Sequence, residues 1–108
     1  MRILLKSKIH FAKCTETQLN SEDGLTIDKE VLQQANIYYY EQVQVINKSN
    51  GVRILTYALP GNTGQCCLNG PAAHHFDIGD ELVIISYEII TPEVDLESYQ
   101  PITICWDK

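Results

Sequence analysis

Two groups of residues in this sequence could do chemistry. The first is a small set of cations, Lys6, Lys8, Lys13 and Arg53, the ones available to hold a small anion. An arginine suits a carboxylate because its planar fork can donate two parallel N–H bonds. Each of these cations is equally what a solvated strand edge carries. The second is the turn Ser21-Glu22-Asp23-Gly24-Leu25-Thr26-Ile27-Asp28. Asp23-Gly24 signals a turn, Leu25-Thr26-Ile27 a short strand, and Asp28 the N-cap of a following helix. Thr56 and Tyr57 carry hydroxyls but read, on pattern alone, as ordinary strand residues.

Metal chemistry is weakly supported. Cys14, Cys66, Cys67 and Cys105 form no C-x-x-C pair, and adjacent cysteines of a strand point to opposite faces. They are expected as buried free thiols in a reducing compartment. His74-His75 is no better a ligand pair, and no metal is expected. A formal charge of −6, with no Lys or Arg between Arg53 and Lys108, argues against nucleic acid, which requires clustered cations. No apolar run nears the ~20 residues of a membrane span, and Lys6 and Lys8 interrupt the start too early for a secretory signal. A cytoplasmic location is the expectation. The 108 residues, 44% of them hydrophobic, fit one globular domain, residues 1–108, with one modest core.

The elements that must position these residues read as follows. Ile3 to Thr15 is one long or bent strand with Ile9, Phe11 and Ala12 inward, and Thr15 to Asn20 is irregular. Lys29 to Ala35 is a short helix with Val31, Leu32 and Ala35 on one side. Glu41 to Asn47 alternates as a half-buried strand. Asn50-Gly51 predicts a tight hairpin with both residues at positive φ, paired with Val52 to Leu59. Pro60 to Gly64 is a loop, Gln65 to Leu68 a strand, and Pro71 opens a brief helix to His75. Glu81 to Ile90 is apolar on both faces, hence central. Pro92 to Tyr99 is a loop and Ile102 to Trp106 a last strand. The sum is a mainly β fold, a small barrel of six to seven strands with two short helices.

Several segments, in order and spacing, resemble the pyruvoyl-dependent aspartate 1-decarboxylases. They are Lys6-Ser7-Lys8-Ile9-His10, Thr26-Ile27-Asp28, Asn50-Gly51-x-Arg53-x-x-Thr56-Tyr57, Leu68-Asn69-Gly70-Pro71-Ala72-Ala73 and Ile78-Gly79-Asp80-x-x-Val83-Ile84-Ile85. The resemblance implies a double-psi β-barrel, a homotetramer with sites between subunits, and conversion of L-aspartate to β-alanine for pantothenate. It implies a pyruvoyl group that the chain makes by cleaving itself at a Gly-Ser bond. Carried over, Lys8 and Arg53 would hold the carboxylates of a small dicarboxylate or amino-acid substrate. Tyr57 would donate a proton and Thr56 would serve self-cleavage. His10, Asn69, Gly70, Ala72 and Ala73 would line the pocket.

One departure matters most. In an ungapped comparison Gly24 occupies the place of the nucleophilic Ser, directly before Leu25, and Asp23 occupies the place of its Gly. A glycine has no side chain with which to attack. Three readings are open: an uncleaved homologue that binds a small anion or a protein, or reuses the pocket; a trapped precursor, which needs two changes; or a Ser-derived residue standing between Gly24 and Leu25 outside the written sequence.

Overall fold

The computed structural model describes residues 1–106. Eight strands form one mixed sheet in the order β2-β6-β3-β5-β4-β7-β1-β8. They are β1 (Arg2–Lys13), β2 (Glu16–Gln18), β3 (Gly24–Asp28), β4 (Gln42–Asn47), β5 (Arg53–Gly61), β6 (Cys66–Asn69), β7 (Glu81–Ile90) and β8 (Ile102–Cys105). A single α-helix, α1 (Lys29–Gln34), and a 3₁₀ turn, Pro71–His75, complete the elements. The fold is mainly β and of the small double-psi barrel type, as expected, with eight strands rather than six or seven.

The strand missed in the sequence is what curls the sheet. β1 lies beside β7 and β8. After a bend at Cys14-Thr15 the same run continues as β2 beside β6, at the far end of the strand order. Thr15 fixes the bend, its hydroxyl oxygen accepting from Cys66 N at 2.8 Å and donating to Cys66 O at 3.0 Å. A polar segment thus becomes strand because its partner backbone is already in place.

A bulge in β1 corrects a second expectation. The register moves between Ile9, opposite Ile84, and Ala12, opposite Leu82. Phe11 sits at φ 65° and is exposed, while Ile9 and Ala12 are fully buried. Bulges re-aim side chains, and this one turns His10 and Phe11 outward. The hairpin after β4 also differs from expectation. Gly51 alone adopts positive φ, at 78°, and its N–H donates to Asn47 O at 2.8 Å across a longer loop. Pro60 and Gly61 extend β5 instead of starting the loop. Cys14, Cys66 and Cys67 are buried as expected, but Cys105 is exposed.

The core is built from alternate, inward residues of neighbouring strands, among them Ile9, Leu25, Ile27, Val43, Leu68 and Ile84, closed by Leu32 of α1. Asp28 caps α1 as foreseen, accepting from Glu30 N at 2.9 Å, and its second oxygen accepts from Gly64 N at 2.8 Å. The opposite end is tied by Asn47, fully buried. Its amide donates to His75 O at 3.0 Å and to Asp80 Oδ2 at 2.8 Å, and its oxygen accepts from Ser49 N at 2.9 Å. Loop 91–100 returns to β8 through Tyr99, whose Oη lies 2.6 Å from Leu5 O and from Glu88 Oε2.

Asn47→Ala is expected to cost about 2–3 kcal/mol in denaturant unfolding, because it leaves buried partners unpaired. The amide of Asp77, then the side chain of Asn47, hold the Asp80 carboxyl below its ordinary value. A carboxyl with a lowered folded pKa stabilises above its unfolded pKa and stops doing so as pH falls through the lowered one. The gap between wild type and variant should therefore narrow on acidification below about pH 4.

Candidate active site

Strand alternation sorts the residues into two faces. On β3, Leu25 and Ile27 point into the core, so Gly24 and Thr26 point out. On β6, Cys66 and Leu68 point in, leaving Cys67 and Asn69 outside. On β5, Ala58 is in the core, so Tyr57, Leu55 and Arg53 share the outer face.

These outer positions meet around Gly24. Gly24 pairs with Asn69, and Thr26 with Cys67, across the antiparallel β3–β6 ladder. On the other side β3 runs parallel to β5, with Leu25 beside Ala58. A Cβ built on Gly24 would lie 3.4 Å from Cε1 of Tyr57, so the phenol ring stands against this glycine. The Asn69 amide donates to Thr26 Oγ1 at 2.8 Å and its oxygen accepts from the Cys67 thiol at 3.3 Å. Gly70, at φ 85°, leaves the room that Asp23 fills: a Cβ there would be 2.3 Å from Asp23 Oδ1. Tyr40 flanks Tyr57 with ring centroids 6.1 Å apart.

Gly24 itself is conformationally committed. Its φ is +149°, in a region that side chains rarely adopt, and the missing Cβ would lie 2.7 Å from Leu59 Cδ1. Both facts are those of a position that requires glycine.

The other residues singled out in the sequence are placed differently. Thr56 pairs with Val43 and, one residue from Tyr57, faces the opposite way. Leu25 is fully buried in the core behind Gly24, and Ala73 is buried in the same cluster; Ala72 is half-buried in the 3₁₀ turn. Arg53 is exposed on the outer face of β5, about 13 Å along the strand from Tyr57. Lys8 lies opposite Ile85, which lies opposite Gln44, which lies opposite Leu55. Three strand spacings, about 14 Å, thus separate Lys8 from β5. His10 occupies the bulge of β1, its ring centroid 6.0 Å from that of Phe11, and its carbonyl accepts from Trp106 N. Lys6 is committed to structure, donating to Asn36 O at 2.7 Å and to Glu41 Oε2 at 2.5 Å.

One chain therefore gathers Gly24, Thr26, Tyr57, Cys67, Asn69 and Gly70, and holds Lys8 and His10 on another part of the barrel. Among the described residues no group of three or more His, Cys, Asp or Glu could hold a metal. Cys67 and Leu59 were not foreseen as neighbours of the site; counting by twos from Asn69 and Tyr57 would have found both.

Fold and site together define a small β-barrel that presents polar residues on the outside of its sheet, around a glycine whose conformation excludes a side chain. The chain belongs to the aspartate decarboxylase family, whose model matches residues 1–108. It is similar to the aspartate 1-decarboxylase of Desulfitobacterium hafniense, 45% identical over 109 aligned positions, with 99% of this chain and 85% of that one covered. Those of Dehalococcoides mccartyi (46% over 100 positions, 91% and 80%) and Listeria monocytogenes (38% over 109, 99% and 85%) are similar too. Since 109 aligned positions exceed the 108 residues here, at least one position of the first relative has no counterpart in this chain.

Gly24→Ala should destabilise the fold by about 1–3 kcal/mol, the scale of a residue forced into a sparsely populated backbone region. In a Leu59→Ala background the steric part should disappear and the backbone part remain. Equal denaturation midpoints for wild type and Gly24→Ala would contradict this placement.

Proposed function

We propose that this chain decarboxylates L-aspartate to β-alanine, with the reacting centre at the junction of Gly24 and Leu25. The observation that carries the reading is the packing of Tyr57 and Asn69 on the outer side of Gly24, in a chain that matches the aspartate decarboxylase family over its full length. The non-catalytic reading is not favoured, since each relative named above is an aspartate 1-decarboxylase.

Gly24 has no side chain from which a carbonyl group could be made, so such a group would have to come from a residue placed after it. The conformation at Gly24 excludes a side chain, so this residue fits the role of the glycine that precedes the cleaved bond. The first relative has at least one position without a counterpart in this chain, and a Ser-derived residue between Gly24 and Leu25 would be one way to fill it. A pyruvoyl group, when present there, supplies the electron sink that decarboxylation needs. Asn69, Tyr57 and the Gly70 turn would hold it.

The chain's own residues would do the rest. Arg53 takes a carboxylate of the substrate in a bidentate grip. Tyr57 Oη holds the proton that returns to the α-carbon once carbon dioxide has left. Lys8 and His10 stand on β1, three strands from β5 and Tyr57 on the same chain. We infer that they would reach the site from a neighbouring copy, in a homo-oligomer of the tetrameric kind. The exposed apolar side chains Ile3, Leu55, Tyr87 and Ile89 supply a surface that such a neighbour would cover.

Intact mass spectrometry of the purified protein tests the centre. Two fragments dividing after Gly24, the larger without a free N-terminal amine, are expected; one chain of 12.2 kDa would contradict a self-made carbonyl. Arg53→Ala is expected to abolish calorimetric binding of succinate, and unchanged binding would remove Arg53 from the site.

A further inference from the structure

We propose that Cys67 is a positioning residue of this site, orienting the Asn69 carboxamide through its thiol; the assignment rests on the decarboxylase reading and refines it. Asn69 is 9% exposed and Cys67 2%, so neither side chain can exchange its partner freely for water. The thiol has one proton and two acceptors in range. Asn69 Oδ1 at 3.3 Å is far better placed than Leu68 O at 3.9 Å. Burial, and then the negative charge of Glu16, push the thiol pKa up, so Cys67 stays a protonated donor through neutral pH.

The consequence is directional. With Oδ1 held by Cys67 and Nδ2 donating to Thr26 Oγ1 at 2.8 Å, the amide plane is fixed from both ends. A carboxamide has two N–H donors and two acceptor lone pairs. One of each is used by these two bonds, and the others are left for whatever sits outside Gly24. The Thr26 hydroxyl, accepting from Asn69, keeps its own proton to donate. Removing the thiol would let the amide turn over, exchanging the positions of its donor and acceptor. The thiol acts only through Asn69, so its effect must vanish when Asn69 is absent.

The test titrates the purified full chain with L-aspartate by calorimetry, using Cys67→Ala, Cys67→Ser, Asn69→Ala and the Cys67→Ala/Asn69→Ala pair. Cys67→Ala should weaken binding about 5-fold, the scale of one neutral hydrogen bond, and Cys67→Ser should restore it to within about 2-fold. In the Asn69→Ala background the same change should have no further effect. A packing role alone would act equally in both backgrounds, and that result overturns the assignment, as does equal affinity of wild type and Cys67→Ala. The Asn69 side-chain amide signals in ¹⁵N-resolved NMR give a second reading that needs no ligand. They should be resolved in wild type and shifted in Cys67→Ala; unshifted signals overturn the assignment. If wild type does not bind aspartate, the decarboxylase reading fails, and the NMR comparison still decides whether the thiol orients Asn69.

Discussion

The two-residue period of the strands governs everything else in this molecule. Each strand around Gly24 turns alternate residues to the core and to the outer face, so the core and the site are built from the same few strands. Leu25 and Ile27 hold β3 in the core while Gly24 and Thr26 face out. Leu68 does the same for Asn69, and Ala58 for Tyr57. Shifting any of these strands by one residue would exchange the two sets. The polar cluster is therefore as precisely placed as the core is well packed.

That arrangement has a cost that the rest of the fold handles. Gly24, Cys67 and Asn69 are already buried on the outer side of the sheet, while Thr26 and Tyr57 remain partly open to water, where electrostatic contacts weaken. The protein keeps the site's own geometry rigid by holding both ends of the barrel. Asp28 joins the start of α1 to loop 62–65, and Asn47 joins three loops at the other end. Water would be excluded from Thr26 and Tyr57 as well if another surface covered the outer face. The separation of Lys8 and His10 from Tyr57 makes a second copy of the chain the natural cover, since it would bring those side chains with it.

Much of the fold was legible from residue order. The strands with strong alternation, the cap at Asp28, the 3₁₀ turn after Pro71 and the central apolar strand β7 all lie where their local chemistry predicts. What was not legible depends on partners distant in sequence. β2 is polar and becomes a strand because Cys66-Asn69 offers it a free edge. Phe11 reads as an inward residue, yet the bulge that lets Ala12 point inward puts it outside. At the site, the residue types of Tyr57 and Asn69 were readable, but their assembly was not. Tyr57 meets Gly24 through a parallel pairing of β3 with β5 across intervening chain. The steric bar to a side chain at Gly24 likewise comes from Leu59, thirty-five residues away.

The central claim is that the outer face of one barrel carries part of a site that a neighbouring barrel completes. Subunit complementation tests it most directly. Lys8→Ala and Tyr57→Phe chains, each inactive alone in β-alanine formation, would be unfolded together and refolded as mixed oligomers. Random mixing places both intact residues at about a quarter of shared sites, so about a quarter of wild-type activity should return. Mixed oligomers that form but stay inactive would mean that Lys8 and Tyr57 act from the same chain, contradicting the account.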